Sequence, residues 1–349
     1  MPVPTRPSNA PVQVGVVGLG FMGVTHLKSY FQLPSARVVA VCDSVRQPVN
    51  GVVPGVSGNI TGSDALKLPE CTRAYRRLED LLADPEVELV DLCVPTPLHH
   101  PFALAALRAG KHVLCEKPLA RTAALAREIV EVARTAKGFF MPAMCLRFWP
   151  EWAWVQQAIA ANTYGRVLAA RFRRVSEPPG WSKGTYLDGA ASGGALLDLH
   201  IHDADFVQFC FGRPQSVYAT GLSHLSGAID HVVATYQVRN GAAVYAEGSW
   251  LMSSGHGFNM AYTVVFERAT ADYDLTRGAE ALKLFEEGKP PQVIRLSQPD
   301  GYVGELQHMI QAIQTGRPPT VVTAQDALSA VEICEAEEKS IQLRQPVAL

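Results

Sequence analysis

Residues 14–23 read VGVVGLGFMG, and the rest of the chain is best read outward from them. A run of small apolar residues suits a strand covered on both faces. Here the run ends in Gly18, Gly20 and Gly23. At this spacing the first glycine permits a tight turn, the second lets the backbone approach a pyrophosphate, and the third lets the following helix pack close to its strand. Phe21 and Met22 stand between the last two. Twenty residues after Gly23 the next apolar run, ARVVAVCD, ends on Asp43, placed to accept hydrogen bonds from adenosine ribose hydroxyls. The pattern predicts a dinucleotide site with NAD preferred to NADP. The Asp43 carboxylate repels a 2′-phosphate, although Arg46, three residues on, could receive one.

Beyond this element strands and helices alternate. Helices are predicted over 22–31, 76–84, 100–110 and 122–137, and strands over 36–43, 87–95, 111–118 and 139–145. Ser44 to Pro69 is rich in Gly, Val, Ser and Pro and reads as an irregular connection. Such alternation gives an α/β fold with a doubly wound parallel sheet. After about residue 145 the texture changes. A helix over 150–160 and a long strand over 166–175 lead to a helix over 195–210. Seven short strands then follow in series, Asn240-Gly241 reading as a two-residue type I′ hairpin turn. Helices over 304–315 and 324–342 close the chain. The expected organisation is a short disordered leader (1–11), a nucleotide-binding Rossmann domain (12–143) and a second α/β domain (144–349) built on a large, mostly antiparallel sheet.

With 349 residues the chain can bury two cores. A formal net charge of -2 supplies no field to recruit nucleic acid or an anionic membrane, and no apolar stretch is long enough to span a bilayer. The opening MPVPTRPSNAP has no apolar core of a secretory signal. Seven cysteines without CxxC spacing suit a reducing compartment, so a cytoplasmic location is expected.

Ligands of open parallel sheets lie beyond the carboxyl ends of the strands. Pro95, Thr96, Pro97 and His100 follow one such end, and Glu116-Lys117-Pro118 another. Proline stops each strand, so Lys117 is held where a nicotinamide would lie. In DLHIHDAD, a helix puts Asp198, His202 and Asp205 on one face, with His200 and Asp203 pointing elsewhere. A carboxylate one turn from an imidazole suits a general base. The i, i+2 spacing of His200 and His202 does not converge on a helix, so no metal is expected. Trp152 and Trp154 read as packing. Trp181 and Lys183, in a glycine-flanked loop, read as a substrate wall.

Taken together, VGVVGLGFMG with Asp43, CVPTPLHHPFALAALRAGKHVLCEKPLA, CLRFWP, SGGALLDLHIHDAD and ELQHMIQAIQTGRPP resemble the glucose-fructose oxidoreductase, inositol dehydrogenase and rhizopine-catabolism (Gfo/Idh/MocA) family over nearly the whole chain. The chain departs from that pattern at FERATADYDL, where the family often has a glycine-bearing turn. The resemblance implies that Lys117 is an active-site lysine, Asp198 a substrate-binding carboxylate and His202 the catalytic imidazole. It places Thr96, Pro97, His100 and Glu116 along the cofactor and Arg147 near cofactor or substrate. It also implies a homodimer or homotetramer formed through the second sheet. The expected activity is NAD-dependent hydride transfer to or from a secondary alcohol of a sugar, polyol or cyclitol. Two alternatives share the fold: an NAD-dependent glycosidase acting by transient oxidation and elimination, and a non-catalytic NAD or sugar sensor.

Overall fold

In the computed structural model, which describes residues 10–58, 64–180 and 186–349, the glycine-rich stretch sits at the centre of a parallel sheet. Strand β1 (Val12–Val17) runs into helix α1 (Phe21–Tyr30), followed by β2 (Ala36–Cys42). Within the stretch read as irregular, β3 (Val52–Val53) and β4 (Leu66–Lys67) pair as a separate small ribbon. Strand β5 (Arg73–Tyr75), helix α2 (Leu78–Ala83), β6 (Leu89–Leu92), α3 (Thr96–Arg108), β7 (His112–Glu116), α4 (Ala123–Thr135) and β8 (Phe140–Ala143) complete the layer. The strand order is β5-β2-β1-β6-β7-β8, every pair parallel. Strand order therefore reverses between β1 and β6, which opens a crevice at the carboxyl ends of those two strands. Strand β5 was not anticipated. It is three residues long and half polar, so it carries too little pattern to read.

The second layer follows α5 (Pro150–Ala160) and β9 (Val167–Ser176). The predicted helix over 195–210 is not one regular helix. A short α6 (Gly189–Ser192) precedes a π-helical turn, Leu196–His200, and only then does α7 (Ile201–Phe211) begin. Strands β10 (Ser216–Leu222), β11 (His231–Gln237), β12 (Ala243–Ser249), β13 (Phe258–Phe266), β14 (Ala269–Asp274), β15 (Leu282–Glu286) and β16 (Gln292–Val293) then run in sequence. Helices α8 (Gly301–Thr315) and α9 (Ala324–Leu343) and strand β17 (Val347–Ala348) end the chain. The sheet order is β16-β15-β14-β13-β9-β12-β11-β10-β17, antiparallel except where β9 lies parallel to β12. The β11–β12 turn differs from the type I′ reading. Gly241 is left-handed (φ 76) and its N–H donates to Val238 O at 3.2 Å, while Asn240 keeps a negative φ. This is a type I turn closed by a glycine bulge. The Asn240 side chain accepts from Ala242 N–H at 3.1 Å and so stabilises it.

One face of the second sheet packs on α5 and α7. Trp152 is wholly buried there, edge-on to Phe206 at 4.9 Å and Tyr262 at 5.1 Å between ring centres. The opposite face carries exposed Leu168, Tyr218, Leu222, Tyr245 and Phe285. The closing helices return to the first layer: α8 packs on α1, and α9 packs on α4 as well as on β10 and α7.

Candidate active site

The glycine turn has the shape a pyrophosphate requires. Gly18 is left-handed (φ 91), and a Cβ there would overlap the Cys93 carbonyl at the end of β6. A Cβ at Gly23 would overlap the Gly18 carbonyl oxygen. At Gly20 a Cβ would meet nothing within 4 Å, so this backbone faces open space. Gly20 caps α1 without a side-chain hydrogen bond, leaving the start of the helix to an anion from outside. Pro95 caps α3, and Thr96 and Pro97 form its first turn, so a second helix begins at the same crevice. The residues present therefore fit a dinucleotide. The Phe21 ring lies against Gly58, and Met22 packs on the core.

Asp43 braces this turn. Its Oδ2 accepts from Leu19 N–H, and its Oδ1 accepts from the N–H groups of Val45 and Arg46, each at 2.8 Å. Each oxygen has two lone pairs, so Oδ2 keeps one for a ribose hydroxyl. The Arg46 guanidinium is tied to backbone carbonyls, donating to Leu19 O and Pro54 O at 2.8 Å and to Gly55 O at 3.3 Å.

At the end of β7, Lys117 Nζ donates to Asp198 Oδ1 at 2.8 Å and to Asp198 O at 2.6 Å. The π-helical turn explains this meeting. Asp198 lies within that turn, where its side chain and its carbonyl both meet Lys117. The structure thus brings Lys117 and Asp198 together, whereas Asp198, His202 and Asp205 do not act as one row. Burial opposes the Lys117 charge, but the Asp198 and Glu116 carboxylates outweigh it and hold its pKa above the ordinary value. His202 is half-buried, and its Nδ1 has no partner among the described residues. Burial, then the Lys117 and Arg174 cations, push the His202 pKa well below its ordinary value. Beneath it Arg174 pairs with buried Asp203 at 2.8 Å, and His200 packs its Nε2 3.1 Å from Glu337.

Three predicted cofactor residues are engaged elsewhere. Arg147 is buried and grips Asp205 through Nε and Nη2, at 2.8 and 2.6 Å, and donates through Nη1 to Val321 O and Asp326; it fastens the 3-10 turn Cys145–Phe148 to α7 and α9. His100 faces outward and meets Glu128 at 2.9 Å. Glu116 turns inward, toward His26. The neighbouring His99 was missed. It is buried, with its ring nitrogens 2.6 Å from Pro118 O and 2.7 Å from Val94 O, so it joins the two strand ends that border the crevice. Helix α3 begins at Thr96 rather than at His100, and the buried stripe His99, Ala103, Ala106, Leu107 follows from that earlier start. Trp181 and Lys183 lie outside the described residues. An aromatic group stands near Asp198: Tyr186 meets Trp250 edge-on at 6.3 Å, with Phe258 packed beside them. Phe258 also lines a cleft of about 260 Å³ with Gly58, Ser176 and Glu177.

Comparison with known proteins agrees with this geometry. Residues 12–144 match the Gfo/Idh/MocA model described as an oxidoreductase family with an NAD-binding Rossmann fold, and residues 152–272 match the Gfo/Idh/MocA C-terminal domain. Trans-1,2-dihydrobenzene-1,2-diol dehydrogenase of Bos taurus is 36% identical over 183 residues, which span 50% of this chain and 52% of the relative. Myo-inositol 2-dehydrogenase of Thermotoga maritima is 25% identical over 352 residues, 97% of this chain and 98% of the relative. Among solved structures, levoglucosan dehydrogenase in complex with NADH and levoglucosan superposes with a TM-score of 0.81 at 19% identity, covering 97% of this chain and 99% of that one, which establishes a shared fold.

Proposed function

The chain belongs to the Gfo/Idh/MocA oxidoreductase family, and from that premise we propose that it oxidises or reduces a secondary alcohol of a sugar, polyol or cyclitol with NAD. The observation that carries the reading is the Lys117–Asp198 pair at the end of β7, with the His202 imidazole, whose Nδ1 has no partner among the described residues, on the adjoining helix. When bound, the nicotinamide supplies the hydride acceptor or donor. Lys117 has three N–H donors and uses two on Asp198, so one remains for the reacting oxygen. Its charge stabilises a developing alkoxide. His202, whose pKa is lowered by burial and then by the Lys117 and Arg174 cations, takes the hydroxyl proton in the oxidative direction. Asp198 Oδ2 is left to accept from a neighbouring hydroxyl, which favours a polyhydroxylated substrate. The Tyr186, Trp250 and Phe258 group supports a ring-shaped substrate, whose apolar face packs on aromatic surface. The commitment of Arg46 to three carbonyls supports NAD over NADP, since the cation that could receive a 2′-phosphate is engaged. The exposed face of the second sheet, with Tyr218, Thr235 and Tyr245 in one cross-strand row, supports a homodimer or homotetramer built on that face.

The test is to follow nicotinamide absorbance with NAD and, separately, NADP across a panel of sugars, cyclitols and sugar acids. NAD reduction with one substrate class, abolished in His202→Ala while NADH binding persists, is the expected result. Turnover undiminished by His202→Ala sinks the assignment of the base. Turnover of glycosides with no added NAD replaces the reading with elimination chemistry.

A further inference from the structure

Behind the crevice, ionisable side chains from α1, β6, β7 and α8 meet away from solvent. His26 lies on α1, three residues past Gly23. Its Nδ1 is 2.8 Å from Asp91 Oδ2 and 3.3 Å from Cys93 Sγ. Its Nε2 is 3.3 Å from Glu116 Oε1 and 3.6 Å from Glu305 Oε1. His26, Asp91 and Glu305 are wholly buried, and Glu116 nearly so. Neither Glu305 oxygen has a hydrogen-bond partner among the described residues. The second oxygen of Glu116 accepts from the Lys117 backbone N–H at 3.0 Å. A line of contacts therefore runs from the helix of the glycine turn, through His26 and Glu116, to the backbone of Lys117.

Three buried carboxylates cannot all stay charged around one imidazole, because each uncompensated buried ion costs several kcal/mol. Asp91 and Cys93 outweigh burial and raise the His26 pKa well above the ordinary histidine value, so the ring is an imidazolium with one N–H for each side. The His26, Lys117 and His99 rings and ammonium outweigh burial at Glu116 and keep it ionised. Glu305 takes the remaining proton: burial, with Glu116 and Asp91 adding to it against His26, pushes its pKa up to about 8. Cys145 and Tyr302 also face it, and both are neutral.

We propose that His26 and Glu305 are positioning residues of the dinucleotide site, a buried clamp that fixes the helix of the glycine turn to the strand end carrying Lys117 and is closed from α8. The proposal rests on the reading of Lys117 given above. The clamp is full while Glu305 keeps its proton. Since that pKa stands above the ordinary 4.5, the folded chain holds a proton that the unfolded chain has released. The Glu305 contribution is thus complete below about pH 4.5 and lost as pH rises through about 8.

The test compares the whole protein with His26→Asn, Glu305→Ala and Glu305→Gln, by NADH fluorescence titration, thermal melting from pH 5 to 9, and turnover. His26→Asn, which loses the charge-assisted hydrogen bond to Asp91, is expected to weaken NADH binding about tenfold; Glu305→Ala, which loses only a packing contact, is expected to weaken it less, and both are expected to lower kcat more than they change KM. Glu305→Gln, which keeps the shape of the protonated acid, is expected to restore most of what Glu305→Ala loses and to flatten the fall in melting temperature between about pH 5 and about pH 8. Lower melting temperatures with wild-type NADH affinity and kcat in both His26→Asn and Glu305→Ala overturn the positioning role. A wild-type pH slope in Glu305→Gln overturns the protonation of Glu305. One equivalent of divalent metal in the purified protein, absent from Glu305→Gln, overturns it in favour of a cation site. Lys117→Ala serves as the separate control: if it turns over like wild type, the catalytic reading fails, while the NADH titrations still decide whether the clamp holds the nucleotide helix.

Discussion

Gly20→Ala and Gly23→Ala add the same methyl group three residues apart, and they should fail differently. At Gly23 the new carbon would stand 2.9 Å from the Gly18 carbonyl carbon and closer still to its oxygen, all of it backbone. Replacing a helical glycine by alanine ordinarily stabilises by about 1 kcal/mol. Here the helix must instead move outward, and overpacking of that kind costs about 1–3 kcal/mol or more. At Gly20 nothing lies within 4 Å of the new methyl, and φ is -75°, which alanine adopts freely. The fold then loses only the modest preference for glycine over alanine at a helix cap, about 0.5–1 kcal/mol. The methyl nevertheless occupies the space that a pyrophosphate needs. Losing one charged hydrogen bond to the phosphate costs about 1.5–3 kcal/mol, equivalent to about tenfold to about a hundredfold in Kd. Thermal melting and NADH titration on both variants give the four numbers required. Gly20→Ala should melt near wild type and bind poorly, while Gly23→Ala should lose both. Wild-type NADH affinity in Gly20→Ala, or a melting temperature as low as that of Gly23→Ala, would refute the assignment of this turn.

Two further outcomes follow from the ion pairs. In the oxidative direction kcat/KM should stay flat down to pH 6.5 and fall only below it, because burial, Lys117 and Arg174 all favour neutral His202; an acid limb centred at pH 7 or above contradicts the neutral base. Arg147→Met leaves Asp205 buried and unpaired, which should destabilise by about 3–5 kcal/mol, yet the folded protein should bind NADH as wild type does; a selective loss of NADH affinity would return Arg147 to the cofactor.

Much of the nucleotide side was legible because it is local. Gly18, Gly20, Gly23 and Asp43 lie within one strand–helix–strand unit, and period-2 and period-3.6 patterns locate them without tertiary knowledge. The Glu116-Lys117-Pro118 strand end was legible for the same reason. Three features were hidden by distance or by competing interactions. The π-helical turn at Leu196–His200 has no propensity signature; it accommodates the pull of Lys117 on Asp198 and of Glu337 on His200, from residues 81 and 137 positions away. The choice of His100 rests on the family resemblance, and His99 escapes notice because the helix expected from sequence starts at His100 rather than at Thr96, four residues earlier, where Pro97 is well placed in the first turn. The His26–Glu305 contact joins the two ends of the chain, and no pattern within either helix points to it. The Arg147–Asp205 pair was hidden for the same reason: a buried arginine bound to a carboxylate 58 residues away reads, in sequence, like one waiting for a ligand.

The return of the closing helices bears on synthesis. Glu335 of α9 accepts from the Ala123 N–H that opens α4, Arg127 pairs with Glu332, and α8 lies against α1. The nucleotide layer is thus encoded early and completed late. A ribosome that has released β8 must add some two hundred residues before α9 arrives, a wait of about ten to forty seconds at bacterial to slow elongation rates. Through that interval the surfaces of α1 and α4 that α8 and α9 come to cover stand open. A chaperone that holds nascent apolar surface has its longest opportunity there, and chains that stop within the second sheet leave the first layer permanently unfinished.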